Sequence, residues 1–224
     1  MICTSLGKIE FNRCMKLLPS LGLTEIRLDL SDFTNEEIET VFKSHGELIA
    51  TYRASGLLDS VISADKLCIA LNAGAKYVDV DISLPWDVTD KIINHAREKG
   101  VKVIVSTHKF DKTPEQEEII ELVKGIDALF SPDIIKVACK ANSQADFLTI
   151  HSLYRDLTNR NYDLIAFTLG QSSTISRLTA LFLGAPFVYA YRAGEAPTAD
   201  EQPDDVTLRE IFERTLKFSK PFAG

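Results

Sequence analysis

Residues 101–110 read "VKVIVSTHKF", and the alternation inside this stretch decides the fold. Val103 and Val105 share one face of the predicted strand, whereas Ser106 and His108 share the other. The first face is apolar, which predicts contact with a layer of helices. The second face turns polar as the strand ends. A strand of this kind is typical of a parallel sheet that is covered by helices and carries its functional groups at the carboxyl end.

The composition is that of one globular domain. The chain has 224 residues, of which 45% are hydrophobic and 25% charged, and we expect one catalytic domain over residues 1–224. A net charge of −7 argues against nucleic acid or an anionic membrane as partner. No apolar run approaches the length of roughly 18 residues that a membrane helix needs. The first residues, "MICTSLGKIEF", lack the layout of a signal peptide, and the four scattered cysteines indicate reduced thiols, so we expect a cytoplasmic protein.

Short β-rich runs alternate with longer segments of helical periodicity along the whole chain. The predicted strands are "MICTSL", "TEIRLDL", "LIATYR", "KYVDVDI", "VKVIVSTH", "DIIKVAC", "DLIAFTL" and "FVYAY". Eight strand–helix units predict a (β/α)8 TIM barrel with parallel strands and outer helices. An open doubly wound sheet is the alternative, but the first strand is followed by "SLGKIE" and not by a glycine-rich phosphate loop.

Local signals mark the ends of several helices. "SDFTNEE" and "QPDD" contain capping residues followed by acids, and "TPEQEE" at 113–118 predicts a helix capped by its threonine. Gly100 after "NHAREK" predicts a helix end.

Strand parity gathers charged residues on one face of five strands. Because the apolar residues must face the helices, the charged ones face the barrel interior. This inward set consists of Glu25, Arg27, Asp29, Arg53, Asp79, Asp81, His108 and Lys136. Most of them fall near the carboxyl ends of their strands, where barrel active sites lie. The pattern therefore predicts a polar active site at that end.

Lys136 and His108 suggest the chemistry of this site. A lysine inside "IIKVA" cannot easily reach water, and burial favours its neutral amine, which can form a Schiff base with a ketone or aldehyde. The alternative is a structural ion pair with Asp79 or Asp81. His108 is a candidate proton carrier, although a hydrogen-bonded core histidine would look the same in sequence. A metal site built from His108, Asp79 and Asp81 is a further alternative.

Three arginines point to an oxygen-rich anionic substrate. Arg27, Arg53 and Arg177 could each make bidentate contacts. "SSTISR" at 172–177 has the serine-rich start of a helix, which suits either a phosphate or carboxylate ligand or an ordinary cap.

Several short motifs, in order along nearly the whole chain, resemble one family, type I 3-dehydroquinate dehydratase. "EIRLD" resembles the first strand of the family that carries substrate-binding residues, which implies that Glu25 and Arg27 bind substrate. "STHKF" resembles its Ser-x-His-x-Phe motif and implies that His108 is the catalytic base. "IIKVA" resembles its Schiff-base strand and implies that Lys136 is the nucleophile.

Further motifs add substrate-binding residues to this resemblance. "TYR" implies Arg53, and "ISRL" implies Arg177. "TADEQP" stands where the family usually has Ser-Ala-Pro-Gly-Gln, which implies Thr198 and Gln202. Each motif is short, but together they resemble the family along an eightfold βα pattern.

The resemblance implies a reaction and its requirements. The lysine would form an imine with 3-dehydroquinate, and the histidine would remove a proton and return one to the departing hydroxyl, giving 3-dehydroshikimate and water in the shikimate pathway. No metal or organic cofactor is needed in such a scheme. The family implies a homodimer, for which the tail "KPFAG" is a candidate interface segment.

Two departures from the family pattern stand out. Leu57 occupies a position where the family carries a glutamate that supports the histidine. "TADEQ" lacks the Pro-Gly of the loop that covers the site, so this loop is expected to close differently. Lys109 has the opposite parity to His108, whereas Lys136 has the same parity on the next strand, so we expect Lys136 to be the partner of His108.

Three other functions also fit a polar site at this end of a barrel. They are another Schiff-base barrel enzyme of the aldolase type acting on a sugar phosphate, a metal-assisted barrel hydrolase, and a homologue that keeps the pocket but is catalytically impaired. The acidic segment "RAGEAPTADEQPDD" disfavours a phosphate dianion beside the eighth strand.

Overall fold

The structure is a computed structural model that describes residues 1–157 and 160–218. The predicted role of the tail "KPFAG" lies outside the described residues.

Eight parallel strands form one sheet that curves into a nearly closed barrel. The strands are β1 (Ile2–Leu6), β2 (Thr24–Arg27), β3 (Leu48–Thr51), β4 (Tyr77–Asp81), β5 (Lys102–Lys109), β6 (Ile134–Lys140), β7 (Asp163–Leu169) and β8 (Val188–Tyr191). Each predicted strand is present, which confirms the prediction. The second one is shorter than predicted, because the chain turns after Arg27 and not after Leu30.

A helix follows each strand. The helices are α1 (Phe11–Leu17), α2 (Asn35–Ser44), α3 (Leu57–Asn72), α4 (Trp86–Glu98), α5 (Gln116–Phe130), α6 (Gln144–Asp156), α7 (Ser173–Phe182) and α8 (Asp205–Leu216). A short 3₁₀ turn, Leu18–Ser20, extends α1. None of the helices described has both the length and the apolar character needed to span a lipid bilayer.

The order of the strands separates the barrel from the open sheet. Neighbouring strands run β7-β6-β5-β4-β3-β2-β1-β8, so the last strand lies beside the first. Ile2 pairs with Val188 and Ser5 with Tyr191 in parallel register. A doubly wound sheet reverses its strand order at a switch point. Here the strands from β1 to β7 lie in chain order without a reversal and β8 lies beside β1, so the fold is the predicted (β/α)8 barrel.

The two faces of each strand contribute to two separate apolar clusters. Val103 and Val105 belong to the large cluster between strands and helices. Ile104 belongs to a smaller cluster inside the barrel, together with Cys3 and Phe187. This is the division predicted from parity. The inner cluster fills the lower part of the barrel and leaves its upper part to polar groups.

Local capping fixes where several helices begin. Thr34 accepts a hydrogen bond from the backbone N–H of Glu37, whose side chain accepts one from Thr34 N–H, so α2 starts with a capping box. Asp204 accepts from Thr207 N–H at 2.8 Å and caps α8. Both starts were predicted.

The predicted threonine cap of α5 is wrong. The residue at the cap position is Glu115, and α5 begins at Gln116. The Thr113 hydroxyl donates instead to the carbonyl of Lys140 at 2.9 Å. A tertiary contact with the end of β6 has therefore replaced the local cap. Gly100 follows α4 at φ +68°, as its predicted role at the helix end requires.

Candidate active site

A cavity of about 400 Å³ opens at the carboxyl ends of the strands. Its walls include every residue that the family resemblance implies for the site, whereas Asp29 and Asp79 of the predicted inward set do not line it. The residues implied by the resemblance are Glu25, Arg27, Arg53, His108, Lys136, Arg177, Thr198 and Gln202. The barrel thus brings together side chains that lie up to 177 positions apart, from 25 to 202. Lys109, by contrast, is exposed and faces away from the barrel interior.

Lys136 lies deep in this cavity. It is 4% exposed, and its Nζ donates to Asp79 Oδ2 at 2.7 Å. Burial and the nearby Arg53 lower the pKa of Lys136, although the Asp79 carboxylate partly counteracts them. The predicted ion pair is therefore present, but the pair does not hold the amine as strongly protonated as a surface lysine. An amine in this setting is a potential nucleophile.

Asp79 accepts hydrogen bonds from three polar side chains, those of Arg53, Ser106 and Lys136. Arg53 Nη2 donates to Asp79 Oδ2 at 2.6 Å, and the Ser106 hydroxyl donates to Asp79 Oδ1 at 2.5 Å. Burial alone would raise the pKa of Asp79, but the charges of Arg53 and Lys136 hold it well below its usual value. Asp79 is therefore an anion with both oxygens occupied, and the arginine and lysine share its single charge.

His108 hydrogen-bonds to a different acid. Its Nδ1 lies 2.7 Å from Asp81 Oδ2. Burial, with a contribution from Arg53, lowers the pKa of His108 to about 4, and the Asp81 charge offsets only part of this. The ring is therefore neutral at neutral pH and able to accept a proton.

The prediction that Lys136 is the partner of His108 is wrong as a contact. In the β5–β6 ladder Lys136 lies opposite Ser106, and His108 lies opposite Ala138. The two residues line one cavity, but each bonds to its own carboxylate on β4. The physical reason is register, because a shift of two residues along the ladder separates the lysine from the histidine.

The metal alternative lacks a suitable cluster. Among residues 1–157 and 160–218, no three His, Cys, Asp or Glu side chains are arranged to hold a metal ion. Asp79 is bonded to Arg53, Lys136 and Ser106, as described above, which leaves it a poor ligand. The observed contacts of Asp79 and Asp81 are those of a hydrogen-bonded charge network.

Arg177 is a buried cation at the edge of the cavity. It is 2% exposed, and burial lowers its pKa to about 9. Its Nε donates to the Tyr189 carbonyl at 2.8 Å, its Nη1 donates to Ser173, and its guanidinium lies 4.3 Å from the centre of the Phe167 ring. Within the described residues it forms no ion pair with a carboxylate. Ser173, the first residue of α7, holds this arginine, and Ser172 at the cap position makes no side-chain cap.

Glu25 and Arg27, both on β2, also line the cavity. Glu25 accepts a hydrogen bond from the Thr51 hydroxyl at 3.0 Å. Arg27 binds Asp29 through two bonds of 2.9 and 2.7 Å and donates to the carbonyl of Thr198 at 3.0 Å. Arg27 therefore connects the barrel wall to the loop that follows β8.

This loop covers part of the cavity. Thr198 and Gln202 line it, and the Thr198 hydroxyl donates to the Gln202 side-chain oxygen at 2.8 Å. Glu201 has φ +55°, a left-handed conformation that glycine adopts at little cost. Position 201 is where the resembled family carries its glycine. The loop thus keeps the backbone turn of a glycine without having one.

Three aromatic side chains at the site, Phe167 beside Arg177 and two others, were not predicted. Tyr189 lines the cavity, and Lys136 Nζ lies 4.1 Å from the centre of its ring. Phe110 stacks on His108 at a centroid distance of 5.8 Å. Parity could have identified Tyr189, because Val188 and Ala190 belong to the outer cluster and place it inside the barrel. Nothing in the local sequence pattern indicates the contact of Phe110, which follows the last residue of β5.

Comparison with known proteins places this site in a family. The family described as type I 3-dehydroquinase matches residues 10–218. The 3-dehydroquinate dehydratase of Thermococcus gammatolerans is 32% identical over 195 residues, which cover 85% of this chain and 86% of that protein. The enzyme of the same name from Coxiella burnetii is 29% identical over 212 residues, covering 92% and 87%.

Solved structures show the same fold. The 3-dehydroquinate dehydratase of Geobacillus kaustophilus has a TM-score of 0.82 at 20% identity and covers 98% of this chain and 92% of its own. The type I enzyme of Clostridium difficile has a TM-score of 0.81 at 21% identity, with 96% and 92% covered. The family match extends over most of the barrel and includes every residue predicted for the site, so the chain belongs to the type I 3-dehydroquinase family.

Proposed function

We propose that this chain converts 3-dehydroquinate to 3-dehydroshikimate and water through a Schiff base on Lys136. The observation that carries the proposal is a buried lysine of lowered pKa in a cavity that a neutral histidine also lines. The family of the chain supports the choice of substrate, since its named relatives are 3-dehydroquinate dehydratases. The reaction belongs to the shikimate pathway of aromatic amino acid biosynthesis.

Lys136 supplies the electron sink. Its neutral amine attacks the C3 ketone, and loss of water from the carbinolamine leaves an imine. The imine is protonated, so it accepts the electron pair that is left when the C2 proton departs. The ammonium form cannot attack, and burial in the barrel lowers the cost of the neutral form.

His108 transfers the protons. Its neutral ring takes the C2 proton, and the resulting imidazolium protonates the C1 hydroxyl as it leaves as water. Hydrolysis of the imine consumes one water and frees Lys136. One water therefore leaves the substrate in the net reaction, which needs no external oxidant or reductant.

The remaining residues hold the substrate. Arg177 bonds to protein through Nε and Nη1, which leaves Nη2 to donate to the substrate carboxylate with Gln202 and Thr198. Arg53 Nη1 is buried and, within the described part of the chain, has no hydrogen-bond partner. A buried donor of this kind suits a substrate hydroxyl, and Glu25 and Arg27 complete that side of the cavity.

Turnover in solution tests the proposed activity. The purified protein should convert 3-dehydroquinate to a product with the ultraviolet absorption of a conjugated enone, and EDTA should leave the rate unchanged. Loss of activity with EDTA would support the metal-assisted alternative. Cleavage of a sugar phosphate without conversion of 3-dehydroquinate would support the aldolase alternative, and no reaction with either would indicate an impaired homologue.

We also infer a single catalytic domain over residues 1–224, a cytoplasmic location and a homodimer, as the family and composition suggest. Light scattering on the purified protein measures the mass directly. A mass of twice 24.9 kDa is the expected result, and a mass of 24.9 kDa would contradict the dimer.

A further inference from the structure

We propose that Asp81 is the residue that positions His108, holding its Nδ1–H so that Nε2 faces the substrate. The inference rests on the proposed function, because it assigns a role within the same reaction. It concerns a residue of β4 that the resemblance did not single out for the site.

The Asp81 carboxylate is fixed at both oxygens. Oδ2 lies 2.7 Å from His108 Nδ1, and Oδ1 accepts from the backbone N–H of Ser83 at 2.9 Å. Asp81 is 7% exposed, so water competes weakly for these bonds. A carboxylate bound on both sides has little freedom to rotate. It can therefore fix the orientation of an imidazole ring as well as bind it.

The charge of Asp81 determines which ring nitrogen carries the proton. Burial alone would raise the pKa of Asp81, but the hydrogen bond from His108 and the charge of Arg53 hold it well below its usual value. An ionised carboxylate only accepts hydrogen bonds. Nδ1 must then be the protonated nitrogen of the neutral ring. Nε2 keeps its lone pair and is the atom able to take a proton.

The segment after Arg53 cannot supply this carboxylate. Position 57 is Leu57, at the start of α3, and it is 75% exposed. The acid in the first turn of α3, Asp59, accepts from the Tyr52 hydroxyl at 2.6 Å and from Ser55 N–H at 2.7 Å. Asp59 is thus occupied elsewhere. The carboxylate that reaches the histidine comes from the neighbouring strand.

Other charged groups around His108 influence its titration as well. Arg53 lies between the two acids, with Nη2 on Asp79 and Nε 4.0 Å from Asp81 Oδ2. Lys136 and Arg53 favour the neutral ring, whereas Asp81 favours the protonated ring. Replacing Asp81 by asparagine removes an anion and leaves both cations. We therefore expect the pKa of His108 to fall further in Asp81→Asn.

The test compares Asp81→Asn with a matched carboxylate variant, Asp59→Asn. In Asp81→Asn we expect kcat to fall by about 100-fold or more, since loss of an orienting partner costs 10- to 100-fold at metal sites and more in catalytic triads. The acid limb of the kcat profile should move to lower pH. Asp81→Glu keeps the charge and should recover at least part of the lost rate. Asp59→Asn should stay within about threefold of wild type.

A measurement on the free protein separates this inference from the proposed function. In ¹⁵N NMR of histidine-labelled protein, with His108→Gln used to assign the signal, Nε2 of His108 should appear unprotonated in wild type. In Asp81→Asn the two tautomers should mix. A wild-type ring protonated at Nε2 would overturn the inference even if 3-dehydroquinate is turned over.

The kinetic result can contradict the inference by itself. If Asp81→Asn is folded and turns over within threefold of wild type with an unmoved acid limb, Asp81 does not position His108. If Asp81→Asn does not fold, the tautomer of the wild-type ring and the activity of Asp81→Glu still decide the question. A wild-type protein without turnover but with Nε2 unprotonated would contradict the proposed function alone.

Discussion

Two acid–base pairs lie one above the other in this barrel, and they differ in depth. In the lower pair, Lys136 and Asp79 have side-chain exposures of 5% and 0%. In the upper pair, His108 and Asp81 have exposures of 13% and 10%. Both acids come from β4 and are two residues apart. The comparison shows how two acids of one strand can bind the proposed nucleophile and the proposed base, which lie on two other strands, in different charge states.

Depth and neighbours explain the difference. The lower acid compensates two cations, Arg53 and Lys136, in a region from which water is excluded. The upper acid binds one neutral ring near the mouth, and Arg53 approaches it only to 4.0 Å. The lower pair therefore carries more electrostatic free energy, and the upper pair contributes more through orientation.

The largest effect is expected when Lys136, the proposed nucleophile of the lower pair, is replaced. Lys136→Met keeps an unbranched side chain but removes the amine, and kcat should fall by at least about 10⁴-fold because no imine can form. Lys140→Met is the matched control. Lys140 is a partly exposed lysine four residues further along β6, and its loss should change kcat by less than about threefold. More than 1% of the wild-type kcat in Lys136→Met would exclude an imine on this lysine.

The next largest effect is expected on the free energy of unfolding when Asp79, the acid of the lower pair, is replaced. Asp79→Asn leaves Arg53 and Lys136 without a counter-charge, and the free energy of unfolding should fall by about 3–5 kcal/mol. Urea denaturation measures it. Asp32→Asn, at an exposed position, should change it by less than about 0.5 kcal/mol. A loss below about 1 kcal/mol in Asp79→Asn would mean that the buried charges are compensated elsewhere.

A smaller effect sharpens the comparison at the upper pair. The pKa of His108 is lowered from 6.5 to about 4 on folding, so between these values the unfolded chain binds more protons than the folded one. The contribution of His108 to the free energy of unfolding is therefore fully present above pH 6.5, and it is lost as the pH falls toward 4. From pH 7 to 4.5 this histidine should cost on the order of 2 kcal/mol.

His108→Gln is the variant that isolates this contribution. It should lose less stability than wild type over the same pH interval, because it lacks the imidazole that takes up a proton there on unfolding. The shifts of Asp79 and Asp81 act at lower pH, since their ordinary value is 3.8 and folding lowers it further. Equal pH dependence of the two proteins would show that His108 is not buried as a neutral ring.

Much of this architecture could be predicted because parity is a local property. Alternation in a strand assigns each residue to the helices or to the interior, and this places His108 and Lys136 inside the barrel without knowledge of the register. The eight strands were predicted for the same reason. Motifs in the right order then identified the residues around the cavity.

The pairing within the site could not be predicted because it depends on register and depth. The sequence shows Asp79 and Asp81 as equal members of the inward set, and only the ladder with β5 and β6 decides which one meets the lysine. The prediction that Thr113 caps α5 is wrong for a similar reason. Thr113 has the residue type of a cap, but a tertiary partner competes for its hydroxyl.

Trapping of the imine tests the central claim most directly. The protein is incubated with 3-dehydroquinate, reduced with borohydride and digested, and the modified peptide is identified by mass spectrometry. We expect a covalent adduct on Lys136 that is retained in His108→Ala and absent in Lys136→Met. An adduct found only on Lys109 or Lys140, or full turnover without any adduct, would contradict it.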